Sequence, residues 1–363
     1  MARLKDVAQA ADVSIATVSN VLNGTKAVTP EVERRVLEAI ARLGYHPNPH
    51  AQSLRTGHSR TFGLLVPDLT NPYFPALVQA VEATARAHGH ALLVMDAGNE
   101  AEREAEALAL MANYRVAGVI WVPVADRGTA NGHFPIVTVD RPVAAYDAVV
   151  ADHRQGGALV AQHAFDLGHR RVGLLSGPRA LPSAALRREG FLAAAAGRLD
   201  VVWEREVPFS SDLPPDVVAR LAEPECTLVA CANDAVAVGV LRALRSANLR
   251  VPEQVSVIGF DDVPWADFVE PALTTVRQPL GALGADAVTM LQARIASPEL
   301  PPQRLTLPVE LIERRSAARP VSIRVAGDDA RTRPRPSPPR VAASDAPTGE
   351  GDGRPALHTE ACG

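Results

Sequence analysis

The chain is 363 residues long, 47% apolar and 21% charged, enough to bury more than one core and to suggest two or three domains. No run approaches the ~18–20 apolar residues of a membrane-spanning helix, and the opening residues lack the apolar stretch of a signal peptide, so a soluble, cytoplasmic protein is expected. The formal net charge of −4 argues against indiscriminate nucleic-acid binding, and three cysteines, Cys226, Cys231 and Cys362, show neither a disulfide framework nor metal-ligand spacing.

The average hides a gradient. Residues 1–60 carry eight Lys/Arg against five Asp/Glu, a net of +3, whereas residues 61–316 carry 22 against 30, a net of −8. Residues 317–363 are near neutral, with seven against six. The basic segment is therefore a compact amino-terminal module, the part of the chain suited to a polyanion.

In chain order, Leu4, Val7, Ala8 and Ala11 follow helical spacing, Asp12-Val13-Ser14 breaks it, and Val18, Val21 and Leu22 resume it. A third helix is announced by Thr29 as a cap, Pro30 at the first helical position, Glu31 and Glu33 against the dipole and Gly44 as a stop. Val32, Val36, Ile40 and Leu43 are its expected buried stripe. From residue 62 short apolar runs at 62–66, 91–95, 118–122, 136–140, 172–176, 228–232 and 255–260 read as strands. They alternate with helical stretches at 73–88, 101–113, 155–167, 187–196, 235–247 and 281–294, the pattern of a parallel α/β core. After residue 316 the periodicity stops, and an Arg/Pro-rich and then Gly/Ala/Asp-rich run reads as a disordered tail.

Specific strings add to these patterns. The run LKDVAQAADVSIATVSNVLNG from Leu4 to Gly24 resembles the helix-turn-helix signature of the LacI/GalR family. YHPNPHAQSLRTG from Tyr45 is similar to that family's hinge, and GLLVPDLTNPYF from Gly63 to its first core strand and loop. Val139-Asp140-Arg141, the LGHRRVG run from Leu167, Asn233-Asp234 and the VIGFDD run from Val257 agree in order. The resemblance covers about residues 3–316. It implies an all-α helix-turn-helix domain at 1–46, a hinge helix and linker at 47–60, and an α/β periplasmic-binding-protein-like core of two parallel-sheet lobes at 61–316.

For DNA, the resemblance places Ile15, Ala16 and Asn20 towards base edges in the major groove, with Ser14, Thr17 and Ser19 as phosphate contacts. Ile15 and Ala16 cannot make bidentate hydrogen bonds, so they would read thymine methyls and exclude; Asn20 can pair with an adenine edge. In the hinge, Asn48, Ala51 and Leu54 share a face if 49–55 is helical. Seven residues do not hold a helix alone, so the hinge would fold when two copies pack over the minor groove, with Leu54 as the wedge between base steps. The implied partners are a palindromic double-stranded operator and a second copy of the chain.

For the core, Arg187, Asn233 and Asp261 are the leading effector contacts implied by the family motifs, followed by Asp68, Asn71, Tyr73, Phe74, Asp140 and Gln278. Fork donors, carboxylate acceptors and an aromatic face are the groups that grip neutral polyols, so a sugar or sugar derivative is the expected effector. The lobes are expected at 61–145 plus 277–300 and at 146–276 plus 301–316, with 124–134 too short for the helix usual there and 200–225 trimmed. No cofactor, metal or membrane contact is expected. An enzyme is disfavoured because there is no Gly-rich phosphate loop, nucleophile elbow or metal-ligand cluster. A solute-binding protein and a nucleoside-responsive, corepressor-type regulator remain the alternatives.

Overall fold

The computed structural model describes residues 2–23, 26–45, 59–124 and 134–320. The expected hinge residues Asn48, Ala51 and Leu54, residues 125–133 and residues 321–363 of the expected tail lie outside these.

Three helices open the chain: α1 (Leu4–Ala10), α2 (Ile15–Asn23) and α3 (Pro30–Leu43). Asp12, at φ +51°, turns the chain between the first two, a conformation that short polar side chains tolerate. The Ser14 hydroxyl caps α2 by accepting from the Thr17 amide at 3.0 Å. Val7, Ala8, Ala11, Val18, Val36 and Ala39 form the small core. Two expectations for α3 are corrected. Thr29 makes no side-chain cap bond, and Leu43 is exposed at the last turn while Ala39 is buried in its stead. Gly44 does end the helix, at φ +56°, the left-handed cap that glycine adopts without strain.

The core has two lobes. Lobe 1 contains β1 (Thr61–Val66), α4 (Tyr73–Ala87), β2 (Ala91–Asp96), α5 (Ala101–Asn113), β3 (Gly118–Trp121), β4 (Ile136–Val139) and β5 (Asp147–Ala151). Lobe 2 follows with α6 (His153–Asp166), β6 (Arg171–Ser176), α7 (Pro182–Ala195), β7 (Asp200–Glu206), α8 (Pro215–Ala222), β8 (Leu228–Cys231), α9 (Asp234–Ser246), β9 (Ser256–Ile258) and the single turn α10 (Trp265–Phe268). Next come β10 (Thr275–Arg277), α11 (Leu280–Ala296), β11 (Arg304–Leu307) and β12 (Glu310–Ile312). The lobe 1 sheet runs β11-β5-β4-β3-β1-β2 and the lobe 2 sheet β7-β6-β8-β9, both parallel, while β10 and β12 pair antiparallel.

The chain crosses between the lobes after β5, after β10 and after β11. The first and third crossings are stitched together: the Asp152 amide donates to the Leu307 carbonyl at 2.8 Å, and the Val309 amide to Gln155 Oε1 at 3.4 Å. This moves the expected lobe boundaries. Residues 147–151 and 304–307 belong to the lobe 1 sheet, because the fully buried Val-rich β5 needs β4 on one side and β11 on the other. The stretch 200–225, expected to be trimmed, holds both β7 and α8.

Each lobe buries aliphatic residues on both faces of its sheet, as parallel strands require. In lobe 2, α6 and α7 approach backbone to backbone at Gly157 and Gly190. The packed chain also runs past residue 316: Ala318 accepts from buried His169 Nε2 at 3.0 Å and its amide donates to Ser256 Oγ at 3.1 Å. Cys226 and Cys231 are free and buried; burial pushes the Cys226 thiol up to about 11, which leaves it protonated and unreactive.

Candidate functional site

In open parallel sheets the loops after the carboxyl ends of strands gather the chemistry, and here both sheets turn those ends towards the crossings. The chain after β1 supplies Asn71, Tyr73 and Phe74, the end of β4 supplies Asp140 and Arg141, and α7 supplies Ser183 and Arg187. Phe209 follows β7, Asn233 follows β8 and Asp261 follows β9. Together they line one cavity.

Arg187 is its organising cation. Its guanidinium donates to the Ala232 carbonyl at 2.8 Å, pairs with Asp261 Oδ1 at 3.1 Å and lies 3.8 Å over the Phe260 ring. Asp261 also accepts from Gln278 Nε2 at 2.8 Å, and Gln278 Oε1 accepts from the Tyr73 hydroxyl at 3.2 Å. A continuous hydrogen-bonded chain thus runs from lobe 2 through the second crossing to lobe 1. Asp261 sits at φ +115°, a strained setting for a non-glycine residue that a functional loop can retain.

The two cavity carboxylates have different environments. Burial pushes Asp261 up to about 6, opposed chiefly by the Arg187 charge. Burial would raise Asp140 as well, but a hydrogen bond from His153 and the charges of Arg141 and Arg187 outweigh it and hold the carboxyl below its ordinary range. Asp140 is therefore a fixed anion. Tyr73 is pushed well above the usual phenol range by burial and by both carboxylates, so its hydroxyl stays a donor. The cavity offers two guanidiniums, two hydroxyls, two carboxyls and two amides around two phenyl rings, a binding inventory with no activated nucleophile.

Asn233 both lines the cavity and caps α9, its Oδ1 accepting from the Val236 amide at 2.9 Å. Beside it, burial raises the Asp234 carboxyl well above the usual range, and it is spent on the Thr275 hydroxyl and the Val263 amide.

Of the nine residues expected here, seven line the cavity and Gln278 stands one step behind it. Asp68 is not brought in: its carboxylate holds the Thr70 amide and hydroxyl and Asn99 Nδ2. Four residues were not anticipated. Ser183, four positions before Arg187 and so on the same helix face, has a buried hydroxyl with no hydrogen-bond partner among the described residues. Phe209 was hidden because β7 was not foreseen. Arg141, named above only within the Val139-Asp140-Arg141 string, is the third, its Nε 3.6 Å from the Asp140 carboxylate. His153, between Asp140 and Arg187, is the fourth.

At the amino-terminal end, Ile15, at 47% exposure, and Ala16 stand out from the start of α2, while Val18 is fully buried beneath them. Ser14 and Thr17 are hydroxyl partners of each other at 2.8 Å. The helix presents an apolar tip flanked by hydroxyls.

Residues 3–48 match the family model of bacterial regulatory proteins, lacI family, and residues 161–317 that of the periplasmic binding protein-like domain. The HTH-type transcriptional repressor PurR of Escherichia fergusonii is 35% identical over 335 residues, covering 88% of this chain and 97% of that protein. Among solved structures, the Lac repressor dimer bound to operator and the anti-inducer ONPF is similar with a TM-score of 0.78 at 28% identity, covering 87% of this chain and 99% of that chain. A LacI family regulator from Enterococcus faecalis with bound ribose gives a TM-score of 0.65 at 30% identity, covering 71% and 99%. Among the described residues no helix is long and apolar enough to cross a membrane. With a helix-turn-helix unit ahead of a two-lobed core, and with these likenesses over nearly its whole described length, the chain belongs to the LacI family of bacterial transcriptional regulators and is not an enzyme.

Proposed function

We propose that the chain is a dimeric repressor whose operator affinity is set by a small molecule, a sugar or sugar derivative, held between the two lobes. The observation that carries this is the chain Arg187–Asp261–Gln278–Tyr73, which borders the cleft and ties lobe to lobe. A ligand gripping Arg187 and Asp261 would favour one placement of the lobes, and the change would pass to the hinge at 47–60 and the DNA-reading residues 1–46. The ribose held by the Enterococcus faecalis regulator supports a sugar. A second reading, a flat nucleobase-like ligand, is favoured by Phe74 and Phe209 in the same cavity wall, since ring faces suit a planar heterocycle.

Thermal shift tests this with D-ribose, other neutral monosaccharides and free nucleobases as probes. A ligand at a hundred times its Kd adds about 2.7 kcal/mol to native stability, a rise of several degrees. Sugars alone raising the midpoint supports the first reading, and nucleobases alone the second. A flat response to the whole panel overturns both.

For DNA reading we assign Ser14, Thr17 and Ser19 to phosphate, Ile15, Ala16 and Asn20 to base edges, and Asn48, Ala51 and Leu54 to the minor groove. Leu54→Ala is expected to weaken specific operator binding on the order of tenfold to a hundredfold, because the wedge that opens the central step is lost. The thermal midpoint of the core should not move. A gel-shift titration checks this, and unchanged operator affinity removes Leu54 from the wedge role.

A further inference from the structure

His153 is the first residue of α6, two positions beyond β5, where the chain first crosses from lobe 1 to lobe 2. Its side chain is 1% exposed and touches both lobes. From α7, Arg187 Nε lies 3.3 Å from its Nδ1. From the end of β4, Asp140 Oδ1 lies 3.1 Å from its Nε2, and the Asp140 carbonyl oxygen 3.4 Å from the same atom. The Phe260 ring stands on another side, centroids 6.1 Å apart.

The partners settle the ring's protonation. A guanidinium nitrogen can only donate, so Nδ1 must be bare, and the ring proton sits on Nε2 facing Asp140. A second proton would set one N–H against another and one cation against another at Arg187. The charged groups around the imidazole are Asp140 and Arg141 from the end of β4, Arg187 from α7, and Asp261 behind Arg187. Burial lowers the imidazole's pKa, and the hydrogen bond and charge of Asp140 oppose that without cancelling it.

We propose that His153 is a positioning residue of the effector site, a neutral imidazole that aims Arg187 into the cleft and links it to the lobe 1 carboxylate Asp140. Arg187's other polar partners, the Ala232 carbonyl and Asp261, both belong to lobe 2. It is therefore tied to lobe 1 by two routes, one through His153 to Asp140 and one through Asp261 and Gln278 to Tyr73. The orientation of the main ligand donor then follows the placement of the lobes, and a ligand that pulls on Arg187 is felt at both lobe 1 anchors. The proposal deepens the effector reading and rests on it for its purpose.

Its test needs neither effector nor DNA, so a failed ligand panel and a failure here are distinct results. In ¹⁵N-labelled full-length protein at pH 7.5, His153 should show the Nε2–H tautomer and a scalar coupling across the hydrogen bond from Arg187 Nε to Nδ1. His153→Leu should speed solvent exchange of the Arg187 Nε proton by about tenfold or more. His153→Gln, with one acceptor and one donor, should restore most of the protection. On acidification below the ordinary histidine range of about 6.5, the wild type should lose that protection and the Gln variant keep it. An Nδ1–H tautomer, or unchanged Arg187 exchange in a folded Leu variant, overturns the proposal. So does loss of protection in the Gln variant over the same pH range, which would assign the effect to Asp261. Should the Leu variant not fold, the wild-type tautomer and the Gln acid profile decide.

Discussion

Arg187→Lys should give a folded protein that binds its effector on the order of a hundredfold more weakly and no longer transmits it to DNA. Lysine keeps a positive charge near Asp261 but is a single point donor, whereas the guanidinium serves the Ala232 carbonyl, Asp261 and His153 at once and lies over the Phe260 ring. Each hydrogen bond involving a charged group is worth about 1.5–3 kcal/mol, so losing the fork accounts for the expected change. Arg187→Ala should act on folding as well, by about 3–5 kcal/mol, the usual cost of stripping one partner from a buried ion pair. Asp261, already raised to about 6 by burial against the Arg187 charge, would rise further and lose its anionic character near neutrality. With a raised native pKa, the proton favours the folded state, so the Ala variant should be relatively more stable in acid and lose that advantage as pH climbs through the new value. Calorimetric titration and thermal melts across pH 5–8 read both effects. Wild-type affinity in the Lys variant would take Arg187 out of the site.

The second large effect concerns the platform on which Arg187 stands. A methyl group on Gly157 would lie 1.9 Å from the Arg187 carbonyl oxygen, and one on Gly190 would lie 1.9 Å from that of Arg154. In both cases the obstacle is backbone, which cannot rotate aside, so α6 and α7 would have to separate. Overpacking usually costs about 1–3 kcal/mol and occasionally more. Gly157→Ala belongs at or above the top of that range, a fall of roughly 10 °C in thermal midpoint. Gly281→Ala is the matched control: it is also helical but meets nothing within 4 Å. That change should be neutral or stabilising by up to about 1 kcal/mol. Equal midpoints for the two variants would mean that the helices tolerate separation.

Much of this architecture is legible in the sequence because long, strongly periodic segments carry it. The three amino-terminal helices and the strands rich in Val, Ile and Leu need only spacing and caps to be read. What escaped reading has identifiable causes. α7 begins at Pro182, five residues before the apolar stripe becomes regular, and taking proline as a first helical residue would have found it. That would have put Ser183 beside Arg187. β7 buries only Trp203 among partly and fully exposed residues and ends in Glu204, Arg205 and Glu206, so it lacks the continuous apolar run of a parallel core strand, and Phe209 is hidden with it. His153 carried no local signal: a histidine at a helix start becomes a link only when the fold brings Asp140 and Arg187 to opposite sides of it. Asp68 shows the converse, a loop carboxylate well placed by motif that folds back to shape its own turn.

The central claim, that a small molecule in the cleft sets DNA affinity, has one direct test. A palindromic site is first selected from random DNA with the full-length protein, and its binding is followed by fluorescence anisotropy across a salt series, with and without the compound found by thermal shift. The claim predicts a specific complex whose affinity falls steeply with salt and changes with the compound by about 5- to 150-fold in either direction, a change that Arg187→Lys removes. Specific binding indifferent to a compound that demonstrably occupies the cleft, or no specific site at all, would contradict it.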